Sequence, residues 1–111
     1  VQMDTAALRI AMTAWCADPT AAEVDHGLIK DWDVSGVTDM SYLISDYCST
    51  KATFNYDISA WDVSAVTNMN SMFSRAYSFN QPLPGWDVSA VTSMDYMFYA
   101  ASSFNQVLCR D

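Results

Sequence analysis

The sequence predicts an α/β solenoid in which short parallel strands and short helices stack behind an N-terminal helical cap. Three observations predict it. A seven-residue sequence recurs three times, the hydrophobic spacing changes partway through each copy, and the first 31 residues lack the repeat. At 111 residues the chain has room for one domain. Because 51% of it is hydrophobic, we expect this domain to bury a core rather than remain disordered.

The repeat begins at a tryptophan and is nearly identical in its three copies. Each copy reads Trp-Asp-Val-Ser, then Gly or Ala, then Val-Thr, with a methionine eight residues after the tryptophan and a later Phe-Asn pair. The tryptophans lie 29 and 25 residues apart, because the first copy has four extra residues between Ile44 and Phe54. We divide the chain into a cap at 1–31 and repeats at 32–60, 61–85 and 86–111. The tryptophans, expected to form a structural column, are Trp32, Trp61 and Trp86.

Two hydrophobic periods within each copy predict its local structure. In the second copy Ile58, Trp61 and Val63 follow the pattern apolar-x-x-apolar-x-apolar, which is typical of the short strand of a leucine-rich repeat. The apolar residues from Val66 to Ala76 are then spaced by three, three, one and three, which indicates a helix. A unit this small cannot bury a core alone, so we expect successive repeats to stack.

Residues 1–31 predict two helices that cover the first repeat. Asp4 or Thr5 is placed to cap a helix that ends shortly before Pro19. A second, shorter helix begins there and is broken by Gly27. A solenoid needs such a terminal cap, because its end repeat would otherwise expose apolar surface.

The repeated sequence resembles the BspA-like leucine-rich repeat family over residues 25–111. The residues that carry the resemblance are Trp-Asp-Val-Ser-x-Val-Thr-x-Met, followed by Met-Phe and then Ser-Phe-Asn-Gln. The first copy departs from this pattern at Leu43 and Ile44, where the later copies have Met-Phe, and through its insertion. The resemblance implies a leucine-rich-repeat stack and a role as a surface, adhesion or interaction protein, and it implies no particular activity.

Two polar columns are expected on the stacked repeats. Aspartates in equivalent positions should lie about 5 Å apart on neighbouring strands. Their carboxylates could hold a divalent cation, or each could accept hydrogen bonds from the turn that follows it, and the sequence leaves both open. These aspartates are Asp33, Asp62 and Asp87. The second column is an internal ladder that satisfies backbone groups, formed by Asn55, Asn80 and Asn105.

Three cysteines cannot all pair within the chain. Cys16 ends the predicted cap helix, and Cys48 lies in the insertion of the first repeat. Because the cap must cover that repeat, we expect these two to meet. Cys109 lies two repeats further on and is left over, which leaves it free or paired with another chain. A Cys16–Cys48 disulfide is expected of an extracellular or luminal protein.

Tyrosines provide the candidate interaction surface. Tyr96 and Tyr99 lie three residues apart, off the buried stripe of the predicted helix in the third repeat, and Tyr77 is a further candidate in the second. Tyrosine is common at protein interfaces, but it also lies half exposed on surfaces that bind nothing. Both interpretations stay open.

Composition and motifs exclude several functions. Thirteen acidic residues face five basic ones, and the net charge of -8 argues against nucleic acids and anionic membranes as partners. No apolar run reaches the length of a membrane span, so we expect no membrane insertion. His26, the only histidine, precedes a glycine and is interpreted as structural. Without a nucleophile–base pair, phosphate loop or metal-ligand spacing, we expect no enzyme, cofactor or metal.

Three functions remain. The first is a non-catalytic repeat scaffold for protein–protein interaction or adhesion, on the cell surface or outside the cell. The second is a small structural subunit of a large assembly, for example in an organelle, docked through an uncapped C-terminal repeat where Asp111 replaces the fourth tryptophan. The third is a calcium-dependent adhesive module, which depends on the aspartate column.

Overall fold

Four short elements account for the regular secondary structure of residues 2–105, which are the residues that the computed structural model describes. Helix α1 spans Thr5–Ala17, helix α2 spans Pro19–His26, and helix α3 spans Leu43–Tyr47. A single 3-10 turn spans Ile29–Asp31. The helices α1 and α2 form the N-terminal cap, and the described chain outside these four elements consists mainly of turns.

Both cap helices begin at an aspartate. The Oδ1 atoms of Asp4 and Asp18 accept hydrogen bonds from backbone amides three residues later, at 2.8 and 3.3 Å. Pro19 occupies the first turn of α2, where the missing N–H has no intrahelical partner to lose. Helix α2 ends before Gly27, whose φ of 77° is a positive value that glycine adopts at little steric cost. The two cap helices predicted from the sequence are therefore confirmed.

The repeats contain no strand within residues 2–105, so the predicted α/β solenoid of leucine-rich-repeat type is wrong. Parallel pairing is limited to isolated bridges, which join Asp39 to Asn68, Asn68 to Ser93, and Gln2 to Asp33. The segments expected to be helical in the second and third repeats are turns. Among the described residues of the repeats, only those of the first form a helix, α3.

The apolar spacing that predicts a strand arises here from tight turns. The amide of Trp61 donates to the carbonyl of Ile58 at 3.1 Å, and the amide of Val66 donates to the carbonyl of Val63 at 3.0 Å. The carboxylate of Asp62 accepts a further hydrogen bond from the amide two residues later. A backbone that closes a turn every few residues cannot stay extended long enough to form a strand.

The apolar spacing that predicts helices in the second and third repeats arises here from consecutive turns. The amides of Met72 and Ala76 donate to carbonyls three residues earlier, instead of the four that an α-helix requires. Ser71 and Arg75 adopt φ angles of 56° and 64°, in the left-handed region that a right-handed helix cannot contain. The third repeat has the same two left-handed positions. Apolar residues three apart therefore face the core because each pair brackets one turn.

Successive repeats lie side by side in a regular register. Alternate amides of the first repeat, at Met40, Tyr42 and Ile44, donate to carbonyls of the second at 2.9, 2.9 and 3.0 Å. We call this set of hydrogen bonds the amide ladder. The second repeat continues the ladder by donating to the third from Met69, Ser71, Phe73 and Arg75.

Aromatic columns fill the space between the repeats. The indole rings of Trp32 and Trp61 stack with centroids 6.2 Å apart. The indole N–H of Trp61 donates to the carbonyl of Ile29 at 2.8 Å, and that of Trp86 donates to Ile58 at 3.1 Å. Each tryptophan thus fills the core and also fixes the register. A second column stacks at 6.0 and 5.9 Å and consists of Phe54, Phe79 and Phe104.

The cap is attached to the first repeat by covalent and packing contacts. Cys16 and Cys48 form a disulfide with their Cα atoms 5.2 Å apart, and they are the two cysteines paired in the sequence analysis. Trp15 of α1 packs its ring edge against Trp32 at 5.7 Å. Cys109, the cysteine expected to be left over, lies outside the described residues.

Gly36 explains one difference between the first repeat and the others, which have alanine at this position. A Cβ atom at Gly36 would lie 3.2 Å from the backbone oxygen of Met3 and 3.1 Å from the side chain of Gln2. The amide of Met3 donates to the carbonyl of Asp33 at 2.9 Å, which holds the N-terminal segment in place. Glycine therefore leaves room for the N-terminal segment at this position.

Trp61→Ala is expected to reduce the free energy of unfolding by about 3–5 kcal/mol, because it leaves a cavity and removes a hydrogen bond between repeats. Denaturant unfolding followed by circular dichroism measures the loss. Tyr96→Ala, at an exposed aromatic position, is the matched control and should change stability by less than about 0.5–1 kcal/mol. Equal effects of the two substitutions would contradict the buried tryptophan column.

Removal of the Cys16–Cys48 disulfide, which joins residues 32 apart, is expected to reduce stability by about 3–4 kcal/mol through the entropy of loop closure. The measurement is the unfolding midpoint with and without reductant, made in a Cys109→Ser background. Cys16→Ser combined with Cys48→Ser is the control, since reductant has no disulfide left to break there. An unchanged midpoint on reduction would show that the bond does not hold the cap.

Candidate interaction surface

The third repeat exposes tyrosines where the second repeat buries serines. Tyr96 and Tyr99 are 71% and 51% exposed, whereas the matching residues Ser71 and Ser74 are 9% and 5% exposed. A tyrosine side chain is too large for the space that a buried serine occupies. Its ring therefore lies on the surface, where it offers apolar area together with a hydrogen-bonding hydroxyl.

The two tyrosines and one cation form an ordered cluster. The rings of Tyr96 and Tyr99 meet edge to face, with centroids 5.9 Å apart. The guanidinium of Arg75 lies 5.3 Å from the centroid of the Tyr99 ring, in cation–π geometry. We call Tyr96, Tyr99 and Arg75 the tyrosine cluster. Tyr77, the third candidate, is also exposed, but within residues 2–105 its ring contacts neither of the other two.

Within residues 2–105, the core of the third repeat is only partly covered around Met94. Met94 is 36% exposed, although the equivalent Met40 and Met69 are fully buried. Met94 is therefore not enclosed in the core as its counterparts are. Phe98 and Val91 are half buried where the second repeat encloses their counterparts. The tyrosine cluster thus borders a partly open apolar surface.

The aspartate column forms turns. The amide and hydroxyl of Ser64 both donate to Oδ1 of Asp62, at 3.0 and 2.6 Å, and Ser35 donates in the same way to Asp33. The amide of Ser89 donates to Asp87 at 3.0 Å. These are the hydrogen bonds expected if the column is structural. In the described part of the chain, no group of three or more His, Cys, Asp or Glu side chains is placed to hold a metal ion.

Hydrogen bonding lowers the pKa values of the turn aspartates. The hydroxyl and then the amide of Ser64 lower the pKa of Asp62, although the like charges of Asp33 and Asp87 oppose this slightly. The serine hydrogen bonds likewise lower the pKa of Asp33 and of Asp87. At Asp39, desolvation raises the pKa, but hydrogen bonds from Ser41 and the nearby Arg9 charge outweigh it.

The asparagine column forms a ladder, but on the surface. The amide of Asn80 donates to Oδ1 of Asn55 at 2.9 Å, and the amide of Asn105 donates to Oδ1 of Asn80 at 2.9 Å. All three residues are exposed. The predicted bonding to backbone groups is present, whereas the predicted internal position is wrong, because the chain turns outward after each Phe of the Phe-Asn pair.

The cap exposes the apolar side chain of Ile10. Ile10 on α1 is 67% exposed, and a groove of about 460 Å³ lies beside it, bordered by Met3 and His26. The helix register accounts for the exposure of Ile10, because Leu8, Met12 and Trp15 define the buried face of α1 and Ile10 lies off that face. His26 is half buried and meets Trp32 edge to face at 6.2 Å.

Asp62→Asn is expected to flatten the acid dependence of stability. A lowered pKa in the folded state means that the aspartate stabilises the fold above its ordinary value of 3.8, and that this contribution is lost as the pH falls through the folded pKa. Asparagine keeps the oxygen acceptor but does not titrate. Melting temperatures between about pH 5 and pH 3 should therefore fall less in the variant than in the wild type.

The matched control for this pH series is Asp25→Asn, at an exposed aspartate outside these turns. It should leave the acid dependence of the melting temperature unchanged. If Asp62→Asn shows the same slope as the wild type, the turn hydrogen bonds do not contribute to acid sensitivity.

One family model matches the chain. It is described as "Mycoplasma protein of unknown function, DUF285" and matches residues 12–110. No curated protein matches, and no solved structure matches. The match includes residues 12–17 of α1, the whole of α2 and nearly all of the three repeats. The chain therefore belongs to the DUF285 family.

Proposed function

We propose that this protein is a non-catalytic interaction module that binds a partner protein through its third repeat, on the cell surface or outside the cell. The observation that carries the proposal is the exposure of Tyr96 and Tyr99 beside a half-covered core. Rings held by edge-to-face and cation–π contacts have less conformational freedom to lose on binding. Tyrosine and arginine are also the residue types enriched at the centres of protein interfaces.

Two further observations support the proposed location and role. The Cys16–Cys48 disulfide is the kind of bond that persists in oxidising compartments. The repeat sequence resembles that of BspA-like surface proteins, which favours adhesion or interaction. Among the described residues no helix has the length and apolarity to cross a bilayer.

A structural subunit of a large assembly is the second candidate. The observation that favours it is the partly exposed core around Met94, which a neighbouring subunit would cover. The calcium-dependent module has less support, because each aspartate of its column already accepts a hydrogen bond from a serine. Two features that suggested docking, Cys109 and Asp111, lie outside the described residues.

The proposal is tested by site-specific photo-crosslinking in cells that produce the protein. A benzophenone amino acid is placed at Tyr96 or Tyr99, and at Tyr42 as the control. Tyr42 occupies the same position in the first repeat as Tyr96 in the third, and it is also exposed. We expect one polypeptide, identified by mass spectrometry, to be captured from Tyr96 and Tyr99 but not from Tyr42.

The variant Tyr96→Ser combined with Tyr99→Ser, which introduces the residues of the second repeat, should abolish complex formation while leaving the melting temperature nearly unchanged. Crosslinks that are equal at all three positions, or absent, would overturn the proposal. A crosslinked subunit that copurifies in fixed stoichiometry as part of a large particle would instead establish the second candidate.

A further inference from the structure

We propose that a groove between helices α1 and α3 binds the carboxylate of an aliphatic acid, with the alkyl chain along α1 and the carboxylate against Arg9. We call it the α1–α3 groove. It lies between the cap and the first repeat, so the site is separate from the contact proposed for the third repeat. Three observations carry the proposal. They are the apolar lining of the groove, an arginine whose guanidinium donates no hydrogen bond, and the local charge.

The α1–α3 groove has the size and lining of a site for an alkyl chain. Its volume is about 360 Å³. Ile10 borders it with a side chain that is 67% exposed, and an alkyl chain laid beside it would remove apolar surface from water. The small side chains of Ala14 and Ala17 leave the groove open along α1. The bordering residues are Arg9, Ile10, Thr13, Ala14 and Ala17 of α1 and Tyr47 of α3.

Arg9 is a cation with unused hydrogen-bond donors. Its Nη2 atom lies 3.6 Å from Oδ2 of Asp39, which makes an ion pair but is longer than a hydrogen bond. Its Nε atom is buried and has no partner. Within residues 2–105 the guanidinium donates no hydrogen bond, although such donors are normally paired in folded proteins. Because Nε is buried, a ligand in the groove meets the Nη groups.

Two contacts hold the guanidinium of Arg9 at the border of the groove. Its Cζ atom lies 5.1 Å from the centroid of the Tyr47 ring, in cation–π geometry. The ion pair with Asp39 is the second contact. A side chain held in this way has less conformational freedom to lose when a ligand binds. The planar guanidinium also matches the two oxygens of a carboxylate.

The local charge favours an acid with a single negative charge. Of the described residues that border the groove, only Arg9 is charged at neutral pH. Asp39 competes for Arg9, but its Oδ1 also accepts from the amide of Ser41 at 2.8 Å. The net charge of -8 opposes anions in general, and multiply charged ones most strongly. The ligand is therefore a monocarboxylate whose alkyl chain contributes to the binding free energy.

The test measures the binding of octanoate to the full disulfide-bonded chain by amide chemical shifts. The comparison ligands are octan-1-ol, which has the same chain without a charge, and octylammonium, which has the opposite charge. We expect shifts that centre on α1 and α3. The dissociation constant of octanoate should be at least about tenfold lower than that of either comparison ligand, because only octanoate makes charge-assisted hydrogen bonds with Arg9.

Substitutions of aspartate test the role of Arg9 without removing it. Asp39→Asn takes away the competing carboxylate but keeps an oxygen that can accept from Ser41, so the dissociation constant of octanoate should fall about threefold or more. The matched control is Asp62→Asn, in a turn of the second repeat. It should change the dissociation constant by less than about twofold, since distant charges are screened.

Substitutions of exposed aliphatic residues test the alkyl half of the site. Ile10→Ser should raise the dissociation constant of octanoate at least about threefold, because it removes apolar area from the border of the groove. Val24→Ser is the control, at a residue of α2 that is 84% exposed and does not border the groove. It should leave binding unchanged.

Arg9→Gln should abolish the preference for octanoate over octan-1-ol. Its melting temperature is measured alongside, because the substitution also removes the ion pair with Asp39. The comparison of Asp39→Asn with Asp62→Asn does not depend on how well this variant folds.

The proposal fails on any of three results. They are equal binding of the three ligands, equal effects of the two aspartate substitutions, and chemical shifts that lie away from α1 and α3. None of them bears on a partner captured by crosslinking from Tyr96 and Tyr99, since the two sites share no residue.

Discussion

Alternate backbone amides in each repeat find their acceptors in the next repeat, and the organisation of the molecule depends on this amide ladder. Most donors run in one direction, from Met40 to the second repeat and from Met69 to the third, although the amide of Thr67 donates back to Thr38. The two ends of the ladder are therefore unlike. The cap lies against the first repeat at one end, and the third repeat at the other presents donors that have no acceptor in the described chain.

The cap covers the first repeat with the helices α1 and α2, which satisfy their own backbone groups. Two sequence changes in the first repeat accommodate it. Gly36 stands beside the backbone of Met3, in the position where the later repeats have alanine. The insertion carries Cys48 to within bonding distance of Cys16. The first repeat also has helix α3 where the later repeats have their second left-handed position, and α3 packs against α1.

The turns account for the excess of aspartate in the composition. Aspartate outnumbers glutamate twelve to one because aspartate closes the turn after each tryptophan by binding the serine two residues later. The acidic charge is thus spread over turns rather than gathered in a site, while the tyrosines and the open amides lie together at one end. That separation is why the third repeat, and not the aspartate column, carries the proposed contact with a partner.

Local chemistry determined the parts of this protein that the sequence by itself could predict. Asp4 and Asp18 cap helices within a few residues of themselves, and Gly27 ends one. The repeat register follows from near-identical residues, and the Cys16–Cys48 pair follows from placing the cap on the repeat that contains the insertion. None of these predictions requires knowledge of how the repeats touch one another.

Only the tertiary structure decided between a helix and a chain of turns, because apolar residues spaced by three face the core in both. The left-handed angles at Ser71 and Arg75 recur at Tyr96 and Ala100, and the apolar spacing of a single repeat does not reveal them. The tertiary structure also decided which side chains are exposed. Met94 and Met69 occupy equivalent positions in the repeat, yet one is partly exposed and the other buried, since burial here is conferred by the following repeat and not by the residue itself.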